Sequence, residues 1–357
     1  PGRCKITSAL TVTDSVTICG PGAAPDSLGS TSGALGAIGY IPYGQIIKTH
    51  TNGDAITVTG DNAQVGVHIH DLGITSATDG QYHTAGAGIR LSSTIGSFLE
   101  RVTVFHQYDG IVIDGNGWMT RVRDSEVACS KRDGIRRVGG TNYHSLHISG
   151  CQISNGGAPN THSWGTGSGI YLENCCPVVH DCDVVGWAKG IYVGAAAQYG
   201  FFTSVWGDTC TLPWHFYSST SVEHQVTGCE AYADIGSGAT ICVKIEGATG
   251  VSWIGGNVFA VGIDGFNVNS AAADTNISQV RFHSIGTSGP LGAFSGHPLV
   301  AQASAHDFQF TNNRCPRSSG TISLGGSHTY GFIKDNTGTT ISGSTTGTGN
   351  SMADGPY

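Results

Sequence analysis

Positive charge, methionine and long apolar runs are all scarce in this sequence. Lysine and arginine total 17 against 25 acidic residues, and the net charge of −8 argues against a nucleic-acid binder, which carries a basic face. No run of 18 apolar residues occurs, so nothing in the sequence reads as a membrane-spanning helix, and no signal-peptide pattern is present. With two methionines and hardly any stretch of helical apolar period, the chain reads as nearly all-β. The eleven cysteines include no CxxC pair, which speaks against a structural zinc site.

What the chain has instead is glycine, 55 copies of it, and repetition. DGIVIDG at 109–115, DGIRRVG at 133–139, SGIYLEN at 168–174 and KGIYVGA at 189–195 share one form. Their glycines, Gly110, Gly134, Gly169 and Gly190, are 24, 35 and 21 residues apart, with Gly88 before them and Gly265 in a later copy. Each reads as a turn residue with φ > 0 followed by an alternating strand. A β-rich period in the twenties is the mark of a solenoid.

A second register runs between these copies. IHDLGI (69–74), VRDSEV (122–127), ISGCQI (148–153), VHDCDV (179–184), VTGCEA (226–231) and FTNNRC (310–315) read as two short strands meeting at a bend, with the middle residue held inside the corner. Two strand families alternating in this way resemble the right-handed parallel β-helix of the pectate-lyase-like superfamily, which includes phage tailspikes and polysaccharide depolymerases. The resemblance implies a single all-β solenoid with coils of about 21–35 residues. It also implies a tailspike-like protein that recognises bacterial surface polysaccharide and cleaves its glycosidic bonds, works on a virion tail or outside the cell, and assembles as a homotrimer. The alternatives are a free bacterial polysaccharide lyase, a non-catalytic carbohydrate-binding adhesin and a structural spike. The polygalacturonase and pectate-lyase signature motifs are absent, so no catalytic residue carries over.

The chain divides into an N-terminal end of the helix with a long Gly/Ala/Ser excursion (1–52), regular coils (53–286), and final coils with a Gly/Ser/Thr-rich segment (287–357). The opening at Pro1, in PGRCKITSALTV, is similar to an internal segment of the family, and predicts a truncated or processed chain. Cys151, Cys182 and Cys229 hold one corner position and are expected to stack as free buried thiols. That suits folding in a reducing cytoplasm, as for a phage-encoded protein.

Strand alternation places Val112, Arg136, Tyr171, Tyr192 and His215 in one exterior column, and Asp114, Glu173 and Tyr217 in the next. Asp114 and Glu173, two coils and thus ~10 Å apart at the backbone, are the expected catalytic pair of an inverting hydrolase. The tyrosines, His215 and Arg136 are expected to bind sugar. Arg137 falls on an inward position of a regular strand, so a bulge or a one-residue shift is expected there. The corner repeats give a runner-up pair, Glu126 and Asp183, in a column read as Glu126, Gln152, Asp183, Thr209 and Glu230. His162 and Trp164, in the insertion between Cys151 and Gly169, either reach over a groove or pack back on the coil. His68 and His70 lack a third ligand in register, so no metal and no cofactor are expected. The basic SKRDGIRR (130–137) is the place for a lyase base, Lys131 or Arg136.

Overall fold

A computed structural model describes residues 3–20, 45–50, 52–60, 65–77, 83–141, 144–155, 167–233, 239, 241–259, 264–269, 271–283, 297–302, 305–315, 321–324, 331–337, 340–342 and 351–353. Among these there is no helix, and every pairing between the strands is parallel. One sheet of 13 strands takes one strand from each coil; a second of 22 strands takes two, joined at a bend. The result is a right-handed parallel β-helix. The excursion over 21–44 and the insertion over 156–166, with His162 and Trp164, lie outside the described residues.

The first sheet contains Ala87–Ser92, Asp109–Asp114, Ile135–Val138, Ser168–Leu172, Lys189–Val193, Leu212–Tyr217 and Ile241–Glu246, stacked in that order. Its inward residues form a ladder in which Ile89, Ile111, Ile135, Ile170, Ile191, Trp214 and Val243 lie one above the next, all fully buried. Truncating one such rung to alanine costs ~2–5 kcal/mol, because neighbouring rungs cannot collapse into the gap. This ladder holds the exterior columns in register.

The repeat glycines serve this packing in a way the sequence did not suggest. None of Gly110, Gly134 and Gly169 has positive φ. A Cβ on Gly110 would instead lie 2.2 Å from Val127 Cγ1 and 2.5 Å from the Gly134 carbonyl oxygen. The strand start is pressed against both the bent sheet and the coil above, and only glycine fits.

The positive φ belongs to the corners. Asp71, Asp124, Gly150, Asp181, Gly228 and Asn312, third in each corner repeat, have φ between 50° and 62°. Arg101, Ser204 and Gln279 do the same in coils whose repeats are less evident. The next residue points inward, so Leu72, Ser125, Cys151, Cys182 and Cys229 are buried. None of the eleven cysteines is joined in a disulfide. Cys151 stacks on Cys182, but Val205 comes between Cys182 and Cys229, so the expected run of three thiols is interrupted. Arg137 is inward on an unbroken strand, fully buried; the register needs neither bulge nor shift.

Candidate functional site

The exterior of the first sheet carries the predicted column. Val112, Arg136, Tyr171, Tyr192 and His215 are successive register partners, and Lys244 continues the line. Their rings are in contact: Tyr171 stacks on Tyr192 at 4.7 Å between centroids, and Tyr192 meets His215 edge-on at 5.4 Å. Tyr217, from the adjacent column, stacks with Tyr192 at 6.1 Å. Cations lie on these faces, with the Arg136 guanidinium 4.4 Å from the Tyr171 centroid and Lys189 Nζ 4.5 Å from that of Tyr192. Arg136 is held in turn by Asp133 at 2.5 Å.

The second column runs Ser92, Asp114, Val138, then Glu173, Gly194, Tyr217 and Glu246. Asp114 and Glu173 are two coils apart, as expected, but they lean in opposite directions. Arg90 Nη1 donates to Asp114 at 2.6 Å from the coil below and Arg90 Nε donates to Asp54 at 2.8 Å. Glu173 reaches the other way, over Gly194, where its Oε1 is 3.1 Å from the position a Cβ would occupy. The Tyr171 hydroxyl donates to that Oε1 at 2.6 Å.

Glu246 faces Glu173 from the opposite end. His215 Nε2 lies 3.0 Å from Glu246 Oε2 and Lys244 Nζ lies 2.5 Å from it, so this carboxylate is held between its own strand and the coil below. Burial raises its pKa, but the Lys244 and His215 contacts outweigh burial and hold it below the ordinary value, leaving an anion. Burial brings His215 down to about 4, against the opposing effect of Glu246, so its ring is neutral near pH 7 with the proton assigned to Nε2. Tyr192 is pushed up to about 12, by burial first and by Glu173 second, and burial also lowers Lys189. Glu173 and Glu246 are three strand spacings apart, roughly 14 Å at the backbone. Between them in the column stand Gly194, covered by the edge of Tyr192, and Tyr217, whose ring stacks with Tyr192.

Glu246 was not among the expected residues. Its coil, ICVKIEG at 241–247, has Cys242 at the place of the repeat glycine, as the coil below has Pro213, and the buried thiol donates to the Phe259 carbonyl at 3.2 Å.

The corner column also differs from expectation. Glu126 pairs in register with Gln152, Gln152 with Asp183, Asp183 with Trp206 and Trp206 with Glu230. Trp206 stands where Thr209 was expected, because the corner of this coil falls at Ser204 and the strand after it begins at Trp206. Glu126 is buried. Asp183 is half-buried beside a cleft of about 380 Å³ lined by Gln152, Asp181 and Trp206; a second cleft, of about 260 Å³, continues past Trp206 to Asp208, Glu230 and Phe259.

The remaining candidates are engaged in the packing of the helix surface. Lys131 Nζ donates to the His83 carbonyl at 2.9 Å, and Arg132 pairs with Asp109 and lies 4.8 Å from the Tyr108 ring. His68 stacks on Phe98 at 5.0 Å, and His70 Nδ1 is 2.7 Å from Asp71. Among the described residues no three His, Cys, Asp or Glu side chains converge as metal ligands.

No protein-family model matches this sequence, and no curated protein sequence matches it. Solved structures do. A DFA-IIIase from Arthrobacter chlorophenolicus superposes with a TM-score of 0.62 at 12% identity, over 87% of this chain and 81% of that one. The A-module of a mannuronan C-5 epimerase from Azotobacter vinelandii gives 0.53 at 13% identity, over 99% of this chain and 89% of the module. Tailspike protein 3 of bacteriophage CBA120 gives 0.53 at 12% identity; all of this chain aligns, spanning 56% of the tailspike. At these identities the likeness establishes the fold, the right-handed parallel β-helix that the repeats resemble.

Proposed function

We propose that the protein binds a polysaccharide along the tyrosine-lined face of its first sheet and hydrolyses glycosidic bonds there. The observation that carries this reading is the continuous aromatic face of Tyr171, Tyr192 and Tyr217, bordered in one exterior column by the carboxylates of Glu173 and Glu246. In this mechanism Glu246, kept anionic by Lys244 and His215, takes a proton from the attacking water. Glu173 protonates the leaving oxygen, and the configuration at the anomeric carbon inverts. Tyr171 orients Glu173 through its hydroxyl. Sugar rings stack on Tyr217, which is 43% exposed, while Arg136, Lys189 and Lys244 favour a substrate carrying acidic groups. The expected pair of Asp114 and Glu173 is replaced here, since Asp114 is turned away to Arg90.

The likenesses to a tailspike, an epimerase and a DFA-IIIase support a carbohydrate setting. Within it, the substrate is a bacterial surface glycan, met on a virion tail or outside the cell by a homotrimer; sedimentation of the purified chain tests the assembly. The test of the chemistry is digestion of a panel of capsular and lipopolysaccharide glycans. Mass spectrometry is expected to find oligosaccharides that have gained one water, and proton NMR to find the inverted anomer first.

One arrangement favours a second reading. Arg136 and Lys189 lie directly on tyrosine rings, a way to hold a uronate next to a phenolic base. Products with an unsaturated end, absorbing in the near ultraviolet, would make β-elimination the reaction at this face.

A further inference from the structure

We infer that the surface around Trp206, on the bent sheet and apart from the tyrosine face, is a second saccharide site that takes a neutral sugar ring, stacked on the indole and hydrogen-bonded by Asp183 and Asp208. This inference does not depend on the hydrolase reading. It rests first on Trp206 itself, which is 50% exposed on a strand where its register partners are Asp183 and Glu230. A large indole left in water beside fixed acceptors has the form of a sugar platform, one face apolar and its rim polar. The clefts of about 380 and 260 Å³ open on either side of it, so a ring seated there has room for a residue before and after.

The second observation concerns Asp183. Its Oδ1 is buried and has no hydrogen-bond partner among the described residues. Asp183 itself lines the cleft beside Trp206, where a sugar hydroxyl seated on the indole can donate to its carboxylate. Asp208 is two residues beyond Trp206 on the same strand, in register with Val185. Burial, followed by the mutual repulsion of these carboxylates, raises the pKa of Asp183, and burial likewise raises that of Asp208 with Glu230 adding to it. Hydroxyl donors placed between them relieve that repulsion.

The charge at the site selects the ligand. The clefts are lined by Asp181, Asp183, Asp208 and Glu230, and by no lysine or arginine. A uronate or sulfated sugar is repelled here, the opposite of the preference on the tyrosine face. The two surfaces thus suit different parts of a heteropolysaccharide, the acidic residue on one sheet and the neutral residue on the other.

Isothermal titration calorimetry of the full chain, with neutral tetrasaccharides of glucose, galactose, mannose, rhamnose and N-acetylglucosamine and with tetragalacturonate, tests this. At least one neutral probe is expected to bind saturably, and Trp206→Ala to weaken it 10-fold or more. Trp206→Phe is expected to retain part of the affinity, and Asp183→Asn to weaken it several-fold. Trp118→Ala, which removes a tryptophan 56% exposed outside the clefts, and Glu246→Gln are both expected to leave this binding unchanged. The inference is overturned if no neutral probe binds, if binding survives both Trp206 substitutions unchanged, or if tetragalacturonate binds at Trp206 more tightly than every neutral probe. Loss of hydrolysis with neutral-sugar binding intact would count against the tyrosine face alone.

Discussion

His215 Nε2 lies 3.0 Å from Glu246 Oε2, and Lys244 Nζ lies 2.5 Å from the same oxygen. The pair holds Glu246 as an anion beside the tyrosine face. Glu246→Gln keeps the shape of the side chain and removes the base, so glycan cleavage is expected to slow about 10²–10⁴-fold. Circular dichroism is expected to show the coil stack intact. A Gln variant with near-normal turnover would remove Glu246 from the mechanism.

Asp114 gives the contrasting case. Its carboxylate is engaged by Arg90 from the coil below, on the side away from Glu173. Asp114→Asn is expected to leave the rate within about threefold, while lowering stability by about 1–2 kcal/mol through loss of a charge-assisted bond. Initial rates and a urea titration separate the two effects; a collapse of activity with unchanged stability would restore Asp114 to the chemistry.

Acid is expected to loosen the molecule well before its surface carboxylates titrate. His144, His215 and His224 are buried, and burial brings each from 6.5 down to about 4. The geometry of His224 shows why: its Nδ1 accepts from the Gly200 amide at 3.2 Å and its Nε2 meets Ser221 Oγ at 2.9 Å. A second proton would set two N–H groups against each other. Between pH 6.5 and 4 the unfolded chain binds these protons and the folded chain does not, so stability rises with pH across that window. Each imidazole's contribution falls by about 1.4 kcal/mol per pH unit on acidification within it. Thermal melts from pH 7 to pH 4 should show a steepening loss; a flat melting temperature would mean these rings accept protons in place.

Arg137 is the least well served side chain in the interior. It is fully buried, its Nε and Nη2 have no partner among the described residues, and Nη1 is directed at the Ile113 and Val138 carbonyls. Burial lowers its pKa, as expected for a charge poorly repaid inside a protein. Arg137→Met retains the volume without the charge, and is expected to raise stability by about 1–4 kcal/mol in denaturant unfolding. Destabilisation by Met would show that the guanidinium has a partner worth keeping.

The coils were legible because their markers are physical necessities. A glycine with Val127 at 2.2 Å from where its Cβ would be cannot vary, and a left-handed corner selects Asp, Asn or Gly. Where another residue satisfied the same constraint, the reading failed. Ser204 makes the same bend without the usual glycine or acid, so the corner FTSVWG was passed over and Thr209 was read in place of Trp206. The repeat glycine is missing from both the coil of Pro213 and that of Cys242, and the column read from sequence stops at Tyr217, one coil short of Glu246. The direction in which Asp114 and Glu173 lean depends on Arg90 and on the Tyr171 hydroxyl, neither of which alternation along a strand encodes. Column membership is readable from sequence; the direction of each side chain is not.

The inward ladder has one further consequence for the proposed site. Ile170, Ile191, Trp214 and Val243 set the number of rungs between Glu173 and Glu246, and each rung is worth one strand spacing, ~4.8 Å. The gap between the two carboxylates is therefore graduated like a ruler, changed only by whole divisions. A lineage of such proteins that gained or lost a single coil between them would keep its architecture and forfeit its reach across the glycosidic bond.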